Sequence, residues 1–268
     1  MEARWVPTSY LLRWTVSDQV EAVEDMTKVL LTTGCDPAER EWAEVLALTH
    51  PRMRSYATRH GYDFVPAWYR HVIDRSDEFY HPEAFVDGAV NYEVRADFIR
   101  WRQDRSRLAP NWIRYAVAEQ MLRQGVDLVV YVDGDVVIMD KLEDVADAIP
   151  ADRWLASPVN GPAVDNAGPG GPLWAVRRCP DALAFLEANW RGQVWKSHPA
   201  WTDGVDMLAL LGYSTWPTVR KIAPSQYDAG FCELRREWMG WYPESGRFVH
   251  IGGGGFAGKA EKIRRMVG

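Results

Sequence analysis

Asp133 and Asp135 flank Gly134 directly after Leu128-Val129-Val130-Tyr131-Val132. Five apolar or aromatic residues in succession predict a strand buried on both faces, as in a sheet covered by helices. In open α/β sheets the carboxyl ends of the strands face the ligand crevice, so both carboxylates would arrive where chemistry takes place. Two carboxylates this close repel unless a cation or a proton lies between them. Their oxygens suit Mg2+ or Mn2+, and such an ion on a diphosphate would neutralise charge developing on a leaving group. Gly134 leaves room for a phosphate or a ribose to approach the backbone. As a purely local feature, Asp-Gly is also a common turn dipeptide, and carboxylates at strand ends are often simply solvated.

The spacing serves two enzyme classes. In a sugar-nucleotide transferase the pair would hold a metal on the diphosphate. In a haloacid-dehalogenase-like phosphatase Asp133 would be the nucleophile and Asp135 the acid/base, since Asp133-Gly-Asp-Val-Val137 fits Asp-x-Asp-x-Val. That alternative calls for the Asp-bearing strand early in the chain and a second acidic pair ending another apolar strand. Here the pair follows a complete strand–helix–strand unit, and Asp203 and Asp206 fall at a helix start. A sugar-nucleotide pyrophosphorylase would want a Gly-rich loop after the first strand, which Thr32-Thr-Gly-Cys-Asp36 lacks. An inactive carbohydrate-binding domain would explain the 14 Trp and 11 Tyr, such as Trp68, Trp101, Trp195, Trp201, Trp238 and Trp241, but not the acidic pair. Aromatic faces pack well on sugars, although most of these rings are expected in the core.

The elements that must position the pair follow from periodicity. Lys28–Thr33 reads as a buried strand, and 38–60 as a helix divided at Pro51 and closed by Gly61. Tyr62–Val65 reads as a strand stopped by Pro66, and 67–110, the least regular part, as a long, partly structured surface segment suited to an active-site flap. Helices are expected at 110–123, Leu142–Ile149, Asp181–Trp190 and Thr202–Leu211. Short strands are expected at Trp154–Ser157, Leu173–Arg177, Val219–Ile222 and Phe248–Ile251. Alternating strands and helices indicate an α/β layered fold. Gly252–Gly255 would close over a diphosphate with Lys259 as counter-charge, or simply lead into a C-terminal helix.

Composition narrows the partners. The 268 residues carry 31 basic and 37 acidic side chains, a formal net charge of −6. Without a long basic run, nucleic acid or an anionic membrane is not the expected partner. No apolar stretch reaches the roughly eighteen residues of a membrane span, and Met1–Val20 is too polar for a signal peptide. The three cysteines lack metal-ligand spacing, so neither disulfides nor a zinc knuckle is indicated. The expectation is a soluble, cytoplasmic protein, with residues 1–25 an extension and 26–268 one domain. Within it, 26–140 would form a nucleotide-binding half and 141–268 an acceptor and donor-sugar half.

The ordered motifs resemble the GT-A glycosyltransferases, most of all the retaining family of α-galactosyl-, α-mannosyl- and xylosyltransferases. Arg54-Ser-Tyr-Ala-Thr-Arg-His-Gly-Tyr-Asp63 is similar to that family's YA-x-x-HGY segment, and Trp112-Ile-Arg114 to its Trp-x-Lys. Val130–Met139 resembles the D-x-D strand, Asp165-Asn-Ala-Gly168 the N-(S/A)-G segment, and Trp201–Leu208 the acidic helix start. Phe248-Val-His-Ile-Gly252 is similar to the closing V-H-F-x-G. The resemblance implies a mixed, mostly parallel sheet flanked by helices, Asp135 as main ligand of Mn2+ (or Mg2+), and Asp133 on the ribose or a metal-bound water. It implies His250 as the third ligand, Thr32, Thr33 and Gly34 as nucleotide cradle with Arg114 nearby, and Asn166 with Asp203 or Asp206 near the anomeric carbon. The reaction implied is transfer of a sugar from a nucleotide diphosphate, a UDP-sugar by preference, to a hydroxyl acceptor with retention. The family's acidic-residue–Gln pair reads Asp203-Gly204 here. The lack of an anchor points to a bacterial enzyme with a small-molecule or glycan acceptor.

Overall fold

The computed structural model describes residues 26–35, 40–73, 80–86, 90–92, 109–139, 142–158, 169, 171–191, 204–214, 219–241, 246–251 and 255–268. Among the described residues an eight-stranded sheet lies beside a three-stranded one, and with strands numbered in chain order the large sheet runs β4-β3-β2-β1-β5-β8-β7-β9 and the small one β10 (Met239–Trp241), β11 (Phe248–His250), β6 (Val136–Ile138). The central strands of the large sheet are β1 (Lys28–Cys35), β2 (Tyr62–Ile73) and β5 (Leu128–Asp133), mutually parallel. The edges are built from β3 (Tyr80–Val86) and β4 (Val90–Tyr92) on one side, and β8 (Leu173–Arg177), β7 (Leu155–Pro158) and β9 (Phe231–Leu234) on the other. Pairing directions leave only β3 and β8 opposed to the other strands, so the sheet is mixed but mostly parallel.

Helices cover both faces. Helix α1 (Arg40–His60) buries Val45, Leu46, Thr49, Met53, Tyr56 and Ala57, the stripe a 3.6-residue period brings to one side. Pro51 does not divide it. Pro51 and Ala47 are both solvent-exposed, so water can take up the carbonyl that the missing N–H leaves free. Gly61 ends the helix at φ 68°, the left-handed conformation that stops a helix cheaply. Helices α2 (Ala109–Arg123) and α3 (Pro180–Arg191) lie on the opposite face, where Tyr115, Ala118, Met121, Phe185 and Leu186 join Tyr131 and Trp174 in one core. Helix α4 (Gly204–Leu210) adds Met207 to it. The C-terminal α5 (Gly255–Val267) packs Ala260 and Ile263 against Val45 and Leu46 of α1 and Val137 and Val249 of the small sheet.

Several expectations are corrected. Strand β2 runs through Pro66, because β3 pairs with it only from Ala67 onward; at Pro66 the strand has one neighbour, β1, and a second ladder is not interrupted. Within the partly structured segment 67–110, residues 67–73, 80–86 and 90–92 form an antiparallel meander and 109–110 open α2; the rest of the expected flap lies outside the described residues. Leu142–Ile149 holds only a 3-10 turn, Val145–Ala148, with Asp144 capping the Ala146 N–H at 3.0 Å. Tyr56 accepts the Val145 N–H at 2.8 Å, and Pro150 follows, so local bonds replace helical ones. Val219–Ile222 makes one bridge, Tyr213 with Lys221, since Ile222 is exposed and offers no face to bury. Strands β9 and β10 (Met239–Trp241) were not anticipated. Trp238 is a core ring tilted against Phe248, not a sugar platform. Among the described residues no helix is long and apolar enough to cross a membrane, and Cys179 and Cys232 are free thiols.

Candidate metal centre

Strand β5 ends on Asp133, and the chain turns at Gly134 and Asp135 before β6 (Val136–Ile138) leaves into the small sheet. The turn is held from three sides. The Asp133 N–H donates to the Pro172 carbonyl at 2.9 Å, and the Asp135 carbonyl accepts the Ile251 N–H at 3.2 Å. The buried Thr49 hydroxyl of α1 donates to the Gly134 carbonyl at 2.8 Å. This threonine carried no signal in the sequence beyond its place on the buried stripe of α1.

The small sheet delivers the histidine. Strand β11 (Phe248–His250) runs antiparallel to β6 with His250 opposite Val136, the residue after Asp135. His250 Nε2 lies 3.3 Å from Asp135 Oδ1 and 4.0 Å from Asp133 Oδ2. One ligand atom from each of Asp133, Asp135 and His250 falls within 4.8 Å of the others. Two carboxylate oxygens and an imidazole nitrogen at that spacing form a donor set suited to a hard or borderline divalent cation.

Charge in the site is arranged around Asp135, which is 5% exposed. Burial alone would protonate it, yet His250 and Lys259 hold it well below the ordinary carboxylate range. Lys259, from the first turns of α5, hydrogen-bonds Asp135 Oδ2. Burial likewise opposes charge on His250, but Asp135 and then Asp133 draw its pKa upward. Arg114, buried on α2, places Nη1 2.8 Å from Asp133 Oδ1, and Tyr131 donates its hydroxyl to that same oxygen. Burial works against the guanidinium charge; Tyr131 and Asp133 outweigh it, so Arg114 stays cationic.

The structure thus brings together Asp133, Gly134, Asp135, His250, Lys259 and Arg114. Thr33 stands in register with Asp133 across β1 and β5, which sets the end of β1 beside the acidic pair. Thr32 is fully enclosed, and Gly34 is opposite Trp68 in the β1–β2 ladder. Asp206 belongs to α4, while Asn166, Asp203 and Gly252–Gly254 lie outside the described residues. Tyr131 went unnoticed in the sequence, although its place two residues before Asp133 puts both side chains on one face of the strand.

No protein-family profile matches the chain, and no curated protein does. Solved structures do match. A glycosyltransferase involved in the glycosylation of the major capsid of PBCV-1 superposes with a TM-score of 0.52 at 16% identity, over 89% of this chain and 99% of that one. The galactosyltransferase LgtC, in complex with donor and acceptor sugar analogues, superposes with a TM-score of 0.50 at 12% identity, over 89% of this chain and 96% of its own. The chain has the GT-A glycosyltransferase fold.

Proposed function

We propose that the chain is a metal-dependent glycosyltransferase that moves a sugar from a nucleotide-diphosphate donor, a UDP-sugar by preference, to a hydroxyl acceptor with retention of configuration. The observation that carries this reading is the convergence of Asp133, Asp135 and His250 within 4.8 Å at the carboxyl end of β5. Asp135 and His250, with Asp133, would hold Mn2+ or Mg2+, and the bound ion would supply positive charge to the departing diphosphate. Lys259 stands beside the same carboxylate, so its ammonium would add a second positive charge as the leaving group develops. Thr33 and Gly34, beyond the enclosed Thr32, would cradle the nucleotide. Asn166 and Asp203 or Asp206 would face the anomeric carbon, as electrostatic support or a transient nucleophile. On this division residues 26–140 serve the nucleotide and 141–268 the donor sugar and acceptor. The charge state of Asp135 argues against the phosphatase alternative, because a carboxylate held ionised by His250 and Lys259 is a poor general acid.

The test is a panel of UDP-, GDP- and dTDP-sugars with Mn2+, scoring nucleotide release without acceptor. Release from one nucleotide class, lost in chelator, is the expected result. Release from none of them, or undiminished release in chelator, would overturn the proposal.

A further inference from the structure

Asp133 divides its two carboxylate oxygens between opposite neighbours. Oδ1 accepts from Arg114 Nη1 at 2.8 Å and from the Tyr131 hydroxyl, while Oδ2 is the oxygen that faces His250 Nε2 at 4.0 Å. Both donors to Oδ1 are held firmly. Tyr131 is 1% exposed and stacks on Trp174, which lies directly opposite it in the β5–β8 ladder, with centroids 5.0 Å apart and planes 19° from parallel. Tyr115 stacks on the same indole at 5.3 Å and 18°. The Arg114 guanidinium lies 4.8 Å from the centroid of the Tyr131 ring, so one aromatic ring seats one donor and is the other. Packing on Trp174 uses the Tyr131 ring and not its hydroxyl, so a phenylalanine at 131 would fill the same place in the stack.

We propose that Tyr131 is a positioning residue: with Arg114 it anchors Asp133 by Oδ1, so that Oδ2 alone is presented to the cation. The inference rests on the metal-site reading above and deepens it. A carboxylate with one oxygen saturated by two donors binds a cation through the other oxygen only, and it has lost its rotational freedom before the ion arrives. Without the phenol, Asp133 is released on that side except for Arg114. It can then turn either oxygen, or both, to the ion. Groups that orient a ligand in this way typically change metal affinity by about tenfold or more when removed.

The experiment titrates Mn2+ alone into the full chain at constant pH, following free and bound ion by electron paramagnetic resonance. It compares wild type, Tyr131→Phe and Tyr115→Phe. Both variants keep a ring on Trp174, but only the first removes a bond to Asp133. The expected result is about tenfold weaker Mn2+ binding and an altered bound-ion spectrum in Tyr131→Phe. Tyr115→Phe should show wild-type affinity and spectrum, while Tyr131→Phe, which loses a bond to a carboxylate, should melt lower in chelator yet stay fully folded at the titration temperature. Wild-type affinity and spectrum in Tyr131→Phe would overturn the inference and leave the metal site standing. Equal weakening in both variants with lowered melting temperatures would overturn it too, by reducing Tyr131 to a packing residue. A wild-type chain that takes up no Mn2+ would overturn the metal site itself, and this role with it.

Discussion

Lys259 and Asp135, 124 residues apart in the chain, form an ion pair in which the ammonium takes the carboxylate Oδ2 while His250 faces Oδ1. The ammonium therefore competes with any cation that binds Asp135. Replacing Lys259 with Met should tighten binding of Mn2+ alone by roughly tenfold, through loss of like-charge repulsion. The same change should weaken binding of a nucleoside diphosphate with the ion present. It should also cost about 3 kcal/mol of stability without metal, because a buried carboxylate loses a partner. Calorimetric titration and thermal melts in chelator measure these effects.

Asp135 is the most enclosed of the three candidate ligands and the one in contact with both His250 and Lys259. Asp135→Asn keeps the shape and removes the charge. Metal-dependent hydrolysis of the donor should fall by about three orders of magnitude, the rate equivalent of several kcal/mol of charge stabilisation. Wild-type turnover in this variant would contradict the assignment.

The titrations of Asp135 and His250 pull in opposite directions with pH. His250 is raised above its ordinary 6.5, so the stability it lends the metal-free protein is full below that pH and is lost as pH climbs through the folded value. Asp135 is lowered from 3.8, so its contribution is present above that pH and is lost as pH falls through the folded value. A cation needs the neutral imidazole, so Mn2+ binding should strengthen from pH 6 to pH 8 and release a proton. Calorimetry in buffers of differing ionisation enthalpy counts that proton directly.

Asp144 anchors the other end of β1. Its carboxylate accepts from Lys28 Nζ at 2.9 Å, the Tyr62 hydroxyl at 2.5 Å and the Ala146 N–H at 3.0 Å. Asp144→Ala leaves a buried phenol and an ammonium unsatisfied, and should cost about 3 kcal/mol in denaturant unfolding. Donor KM should not change at a temperature where the variant is folded, since Lys28 lies at the end of β1 remote from Thr33 and Asp133.

Gly230 is fitted against an indole. A Cβ there would lie 1.7 Å from Trp154 Nε1 and 2.1 Å from its Cε2. Trp154 also packs edge-on to Phe185 and Tyr227, so the ring has little room to yield. Gly230→Ala should destabilise by about 2 kcal/mol, the usual cost of overpacking, read as a lower melting temperature.

The sequence by itself determined the local features: the apolar strand Leu128–Val132, the carboxylate pair at its end, the stripe of α1 and its stop at Gly61. Each is a statement about neighbours along the chain, where periodicity and turn chemistry act directly. It also carried the order of motifs that resembles the GT-A enzymes, and with it His250 as a candidate ligand. What joins residues distant in sequence was decided by the tertiary structure. Strand β2 continues past Pro66 because of where β3 begins to pair, which no local propensity records. His250 reaches Asp135 only because β11 pairs with β6 in one register, and a slip of one residue would turn the imidazole to the other face. Lys259 meets the same carboxylate because α5 packs on α1, and Tyr131 holds Asp133 because Trp174 seats its ring. Hydrophobic burial sets those packings without regard to distance along the chain, so the electrostatics of the site exist only once the layers have closed.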